Sequence, residues 1–270
     1  VIRWSAHLSM LFTEAQPLDR PAAARAAGFG CVESWWPPAG DLAAWAAAVR
    51  AHDLEVACLN ADGGDIAAGE RGFCNLPERD ADTLAAVGAA LALAVEVGAP
   101  AINVLAGRRV PERPPAAQLS HAAEILRECG RLAAESGRIV VVEPINSIDV
   151  PGYLVPTPDD VAALLEAAGH DAVRMLYDAY HAAREGGDPV REVGRYVDVI
   201  GHVQYADHPG RGAPGTGEID VFAFAEALDA AGYSGAIGLE FRPDGPTSPS
   251  LRFLEQAPAV APFRTPRAAN

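Results

Sequence analysis

Residues 138–144 read RIVVVEP, four consecutive β-branched residues followed by a glutamate. A run this short and apolar reads as a strand buried on both faces, the kind that builds a parallel sheet. Three later runs have the same form: VRMLYDAYH (173–181), DVIGHVQYAD (198–207) and GAIGLEF (235–241). Each carries an acceptor side chain at or near its C-terminal end, namely Glu143, Asp178, Gln204 and Glu240. Parallel strands ending on one rim would gather these four oxygen ligands. Three carboxylates converging on a small volume repel one another and lose hydration, and a bound divalent cation keeps them ionised at least cost. Any one of them alone reads as well as a helix cap or a loop ion pair. Their recurrence on four consecutive runs is what points to a shared site.

The rest of the chain alternates strand and helix. Strands are expected at 2–8, 30–35, 54–60, 100–105, 138–143, 173–178, 199–206 and 236–241, and helices near 17–27, 41–52, 78–98, 116–137, 158–169, 188–196, 220–232 and 248–256. Ala-rich segments such as DLAAWAAAVRAH supply the helices, with Asp41 and Thr157 or Asp159 as N-caps and Gly28, Gly98, Gly169 and Gly232 as stops. Eight such units in a chain of this length predict a single-domain (β/α)₈ barrel, a TIM barrel, over residues 1–258, with a Pro-rich tail over 259–270. An open doubly wound sheet is the alternative, but it usually shows a Gly-rich phosphate turn after the first strand, and none follows here. In a barrel the active site occupies the C-terminal rim, where the four acceptors fall.

Composition narrows the ligand. A net charge of −15 disfavours nucleic acid, which is bound through surplus cationic side chains. No apolar stretch reaches membrane-spanning length, and the N-terminal VIRWSAHLSMLF has neither a basic start nor a cleavage site, so a cytoplasmic protein with a small-molecule substrate is expected. A homo-oligomer is compatible with the sequence and not required by it. Cys31, Cys58, Cys74 and Cys129 show no paired spacing and read as small buried hydrophobes. Of the seven histidines, His7, His181, His202 and His208 fall near the expected rim, and no HExxH motif occurs. All-oxygen ligation favours Mg²⁺ or Mn²⁺ over zinc, with Co²⁺ as a substitute.

The segments SAHLSMLF, GFGCVESWWP, AAGERG, EPIN, YDAYH, QYADHPGRGAPGTGEID and GLEFRP together resemble the hydroxypyruvate isomerase family, a branch of the xylose-isomerase-like barrels that also holds ketose 3-epimerases and 2-oxo-tetronate isomerases. The resemblance runs from about residue 2 to residue 242, is most diagnostic in HPGRGAPGTGEI, and fades after Pro243. It implies one divalent cation held by Glu143, Asp178, Gln204 and Glu240. The glutamine at the third position matches the hydroxypyruvate isomerase branch, where epimerases more often carry histidine. The implied reaction interconverts hydroxypyruvate and 2-hydroxy-3-oxopropanoate, or a close 2-oxo acid, through an enediolate.

Such a reaction moves a proton between adjacent carbons, and Glu143 and Glu240 are the candidate base and acid, the order of use being open. His181 suits a donor to a substrate oxygen or a histidine that orients a ligand. Arg211 suits a substrate carboxylate, the resemblance deciding this over a solvated loop arginine. Asn60 and Arg71 flank a Gly-rich loop, NADGGDIAAGERG, expected to fold over the site; Arg71 is either a second anion contact or a salt bridge within that lid. Trp35 and Trp36 end strand two as pocket wall or as packing. Glu218 reads as the next helix cap or as a support for Arg211. His7, Arg108 and Trp36 depart from the family pattern of Asn, Lys and Phe, which bears on the substrate rather than the reaction. Other readings are a ketose 3-epimerase or a 2-oxo-tetronate isomerase using the same proton shuttle, an endonuclease on the same barrel, which would need more histidines and a basic face, and a non-catalytic sugar-acid-binding barrel.

Overall fold

The computed structural model describes residues 3–37 and 42–255. Eight parallel strands, β1 (Arg3–His7), β2 (Cys31–Ser34), β3 (Glu55–Asn60), β4 (Ala101–Asn103), β5 (Ile139–Val142), β6 (Val173–Asp178), β7 (Ile200–Tyr205) and β8 (Ala236–Leu239), pair in chain order, and β8 pairs with β1 to close a barrel. Each strand lies within the span expected from its apolar run. The connections are carried by α1 (Arg20–Ala26), α2 (Leu42–Ala51), α3 (Asp80–Val97), α4 (Pro115–Glu135), α5 (Pro158–Ala168), α6 (Ala179–Arg184), α7 (Pro189–Glu192), α8 (Val221–Ala230) and α9 (Thr247–Ser250).

Local chemistry sets the helix ends. At α5 the Thr157 hydroxyl accepts from the Asp160 amide at 3.1 Å, and the Asp160 carboxylate accepts from the Thr157 amide at 3.1 Å, satisfying two donors that the first turn leaves unpaired. Gly98 and Gly169 close α3 and α5 at φ 75° and 60°, a left-handed conformation that a Cβ disfavours. Asp41, expected to cap α2, lies outside the described residues, as does the 259–270 tail.

Two expected helices are divided. The 188–196 segment forms α7 and then a 3₁₀ turn, Val193–Tyr196, with Gly194 lowering helix propensity inside it. The 248–256 segment forms α9 and a 3₁₀ turn, Arg252–Glu255; residue 256 is outside the described residues. Conversely, α6 had no expected counterpart. It starts directly off β6 because Asp178 Oδ1 accepts from the amides of Tyr180 at 2.7 Å and His181 at 3.3 Å.

The period of two along each strand separates core from site. Val140 and Val142 join the main apolar core with helix residues such as Leu126 and Leu164, whereas Val141 packs inside the barrel with Cys58, Ala101 and Leu176. Two residues further along those inner faces stand Asn60, Asn103, Glu143 and Asp178. An apolar cluster therefore fills the β3 to β6 side of the barrel below, and a polar layer occupies its C-terminal mouth. The four cysteines are buried and unbridged. No helix among the described residues is long and apolar enough to cross a membrane.

Candidate active site and cation centre

The four acceptors on β5 to β8 are all sequestered from water: Glu143 is 5%, Asp178 0%, Gln204 3% and Glu240 3% exposed. Glu143 Oε2 accepts from Asn103 Nδ2 at 2.9 Å. Glu240 Oε1 accepts from Trp35 Nε1 at 2.7 Å and lies 3.6 Å from His7 Nε2, while Oε2 is 3.0 Å from Arg211 Nη2. Gln204 Nε2 donates to Glu33 at 2.7 Å. Asp178 Oδ2 and Gln204 Oε1 are buried with no hydrogen-bond donor, and Glu240 Oε2 has only its ion pair. A buried acceptor left unpaired costs about 1–3 kcal/mol, so oxygens of this kind fit a hard cation that would accept their lone pairs. Glu143, Asp178 and His181 present ligand atoms that all lie within 4.8 Å of one another, a group that could hold a metal ion.

The electrostatics suit a cation. Burial, then repulsion from Glu240 and Asp178, lifts the Glu143 carboxyl well above the usual carboxylate range. Asp178 is pushed up to about 7 by burial; Arg211 opposes the rise and Glu240 adds to it. Burial penalises the Arg211 charge, yet Glu240, Asp178 and Glu143 together raise its proton affinity. That guanidinium also lies over the Tyr180 ring, 5.3 Å from its centroid, and its Nε is buried without an acceptor. Three carboxylates thus share one arginine.

His181 is oriented by its neighbours. The Asn146 carbonyl oxygen accepts from the amides of Ile148 at 3.2 Å and Asp149 at 2.8 Å, which fixes the direction of the side-chain amide. Its Nδ2 then faces His181 Nδ1 at 2.6 Å, and the Asn146 backbone amide donates to the same ring atom at 3.3 Å. Burial and Arg211 hold the imidazole pKa well below its ordinary value, so the ring is neutral. With Nδ1 accepting, the ring hydrogen belongs on Nε2, which lies 3.5 Å from Glu143 and 3.9 Å from Asp178. In this tautomer His181 presents a donor to the site.

A second buried network lies beneath, and it escaped the sequence reading. Glu33, 1% exposed on β2, accepts from His202 Nε2 at 2.8 Å through one oxygen and from Gln204 through the other. Burial disfavours its charge, but His202, His7 and the Gln204 hydrogen bond prevail and lower its pKa. Gly238 makes the room: a Cβ there would stand 2.2 Å from both Glu33 carboxylate oxygens. The available signal was a lone glutamate inside an otherwise buried strand. Asn103 and Asn146 were missed as well, the former recoverable by counting two residues beyond Ala101.

The other expected contacts are distributed unevenly. Trp36 is partly buried against the main core, and it is Trp35 that reaches Glu240 and packs edge-on to His7 at 5.5 Å. Adjacent residues at a strand end point oppositely, so only one can face the mouth. Asn60 stands at the end of β3, paired in register with Asn103, and its side chain makes no hydrogen bond among the described residues. Arg71 binds backbone carbonyls, and no lid salt bridge forms there among the described residues. Glu218 neither caps α8 nor meets Arg211. Asp220 is the cap, and Asp207 organises the loop by accepting from Gly215, Gly217 and Ile219 amides, each at 2.9 Å. Glu218 instead lies 3.6 Å from His208, because that loop folds back on its own strand.

A closed (β/α)₈ barrel with buried acids, an arginine and a neutral histidine at its C-terminal mouth defines a class of barrel enzyme equipped to hold a cation and move protons. The family model for the xylose isomerase-like TIM barrel matches residues 21–257. The chain is 38% identical to a 2-oxo-tetronate isomerase of Cupriavidus necator, over 94% of this chain and 97% of that one. It is 34% identical to a hydroxypyruvate isomerase of Escherichia coli, over 94% and 99% respectively. A Brucella melitensis crystal structure described as an AP endonuclease, family 2, superposes with a TM-score of 0.91 at 30% identity, covering 95% of this chain and 99% of that one. The chain belongs to the xylose isomerase-like TIM barrel family, among the sugar-type isomerases of the hydroxypyruvate isomerase and 2-oxo-tetronate isomerase group.

Proposed function

We propose that this protein interconverts hydroxypyruvate and 2-hydroxy-3-oxopropanoate, or a close hydroxylated 2-oxo acid, by proton transfer through an enediolate. The observation that carries this is the set of buried acids at the mouth, with unpartnered oxygens on Asp178 and Gln204 and a neutral donor, His181, directed among them. The names of the Cupriavidus and Escherichia relatives point to the same kind of substrate. Glu143, Asp178, Gln204 and Glu240 would hold a divalent cation, with Mg²⁺ or Mn²⁺ suited to oxygen ligands. That cation would supply Lewis-acid stabilisation of negative charge on the substrate oxygens.

One glutamate, Glu143 or Glu240, takes the proton from the hydroxyl-bearing terminal carbon of hydroxypyruvate. The electron pair of that C–H bond forms the enediolate double bond. A proton is then returned to the former carbonyl carbon, and the hydroxyl proton moves to its oxygen, leaving an aldehyde at the terminus. His181 Nε2–H donates to a substrate oxygen while charge develops on it, and the buried Arg211 Nε is placed to do the same. Trp35 and Arg211 hold Glu240, and Asn103 holds Glu143. Asn60, Arg71 and His7 complete the wall of the site in this reading; Trp36 contributes through packing. The endonuclease alternative is disfavoured by the net charge of −15.

Running the reaction in deuterium oxide with reductive trapping of the aldehyde tests the assignment. Solvent deuterium at the former carbonyl carbon is the expected result. Turnover with no solvent label would replace proton transfer by a hydride shift, and no turnover of any three- to six-carbon hydroxycarbonyl acid would remove the proposed activity.

A further inference from the structure

Arg211 is enclosed by carboxylates, but two other arginines at the mouth are not. Arg71 Nη1 donates to the carbonyls of Ile66 at 2.8 Å and Glu70 at 2.6 Å. Arg108 Nη1 approaches the Gly69 carbonyl at 3.4 Å, and its Nε and Nη2 donate to the Pro151 carbonyl at 3.2 and 2.7 Å. Both side chains thus fasten to one turn, 66–70, in the loop after β3. Among the described residues neither has a carboxylate within 4.0 Å. The acids of the same loop are engaged elsewhere: Asp62 with the Gly64 amide, Asp65 with the Ala68 amide, and Glu70 with the Asp65 amide and Arg79.

Two neighbouring uncompensated cations are out of keeping with a chain of net charge −15. Burial makes the Arg71 charge less favourable, and the charge of Arg108 adds to that effect, so the two sit close enough to repel. Their place relative to the acids is set by Tyr153. Arg108 and Tyr153 form an isolated antiparallel bridge, and the buried Tyr153 hydroxyl accepts from the Ala106 amide at 2.9 Å. Glu143 disfavours and Arg71 favours ionisation of that hydroxyl, so an acid of the mouth and the arginine both lie within electrostatic reach of one side chain. Among the described residues Arg71 Nε and Nη2, the side-on fork that pairs with both oxygens of a carboxylate, have no protein acceptor.

We propose that Arg71 and Arg108 form the subsite that receives the substrate carboxylate, on the β3–β4 side of the mouth, with the hydroxycarbonyl end of the substrate turned towards Glu143 and Asp178. This rests on the 2-oxo acid reading given above and specifies how such a substrate is oriented. Arg211, already shared by three acids, is left to a neutral or partly charged oxygen near Glu240. The loop turn at 66–70 then serves as the scaffold that holds the two guanidiniums together despite their repulsion.

A matched pair of ligands tests it: hydroxypyruvate, and dihydroxyacetone, which carries a hydroxymethyl group in place of the carboxylate. KM and calorimetric affinity for hydroxypyruvate, and the inhibition constant of dihydroxyacetone, would be measured for wild type, Arg71→Gln, Arg108→Gln and Arg108→Lys, each with Mn²⁺ present. The expected result is a rise of about tenfold or more in KM and Kd for hydroxypyruvate in the glutamine variants, the scale of one charged hydrogen bond. Dihydroxyacetone inhibition and kcat should stay within about threefold, and Arg108→Lys should recover most of the hydroxypyruvate affinity because charge is retained. If a glutamine variant fails to fold, the salt dependence of wild-type hydroxypyruvate affinity against that of dihydroxyacetone replaces it; equal salt dependence overturns the subsite. Equal loss for both ligands, or no loss for either, also overturns it. Wild type that binds hydroxypyruvate through these arginines without turning it over would instead overturn the reaction proposed above and leave the subsite standing.

Discussion

Gln204 Nε2 donates to Glu33 at 2.7 Å inside the barrel, which leaves Gln204 Oε1 buried and without a hydrogen-bond partner. A side-chain amide presents either end equally well unless a neighbour chooses. Here Glu33 can only accept, so it chooses the nitrogen, and His202 on its other oxygen keeps it from turning.

Replacing that acceptor should therefore weaken cation binding. Glu33→Gln can rotate its own amide and no longer dictates which end of Gln204 points outward. Titration of the metal-depleted variant with Mn²⁺ is expected to give an affinity about 10- to 100-fold below wild type. Wild-type affinity in this variant would show that Gln204 is oriented by something else.

Gly238 is the companion position. Its missing side chain is the space that Glu33 occupies, since a Cβ would lie 2.2 Å from both carboxylate oxygens. Gly238→Ala should destabilise the fold by about 1–3 kcal/mol through overpacking, measurable as a lower midpoint in urea unfolding. An unchanged midpoint with intact Mn²⁺ affinity would mean that Glu33 has somewhere else to go.

The two glutamates can be separated from the cation by conservative change. Glu143→Gln and Glu240→Gln keep an oxygen while losing the proton acceptor, and a loss of about 10² or more in kcat is expected for each. Calorimetric cation affinity should fall less than kcat does. Turnover near wild type in both variants would remove the two-carboxylate shuttle.

Removal of the cation should abolish turnover reversibly. Protein treated with a chelator and desalted is expected to regain activity with Mn²⁺, Mg²⁺ or Co²⁺, because the buried oxygens of Asp178 and Gln204 have no protein donor. Full activity in protein shown by elemental analysis to be free of metal would contradict the cation's role.

Much of this molecule is legible in the sequence because its signals are local. RIVVVEP and its three companions are strands by β-branching and length alone, and the acceptor at the end of each fixes which rim carries chemistry. Eight such units in order leave few topologies besides a barrel, so Glu143, Asp178, Gln204 and Glu240 are readable as candidates before any coordinate is known. Helix ends followed the same logic at Thr157, Gly98 and Gly169, where one residue decides the backbone.

What only the tertiary structure decided are relations between side chains far apart in sequence. Glu33 meets Gln204 across 171 positions, and Trp35 meets Glu240 across 205. Neither pair leaves a spacing to read, because closure of the barrel makes them neighbours. The state of His181 depends on an asparagine whose own direction is set by two backbone amides. Arg211 and Arg71 look alike as loop arginines with glycine neighbours. Their difference lies in the counter-charges around them: Glu240, 3.0 Å away, with Asp178 and Glu143 acts on Arg211, whereas Arg71 has no carboxylate within 4.0 Å among the described residues, and that is a property of three-dimensional distance alone.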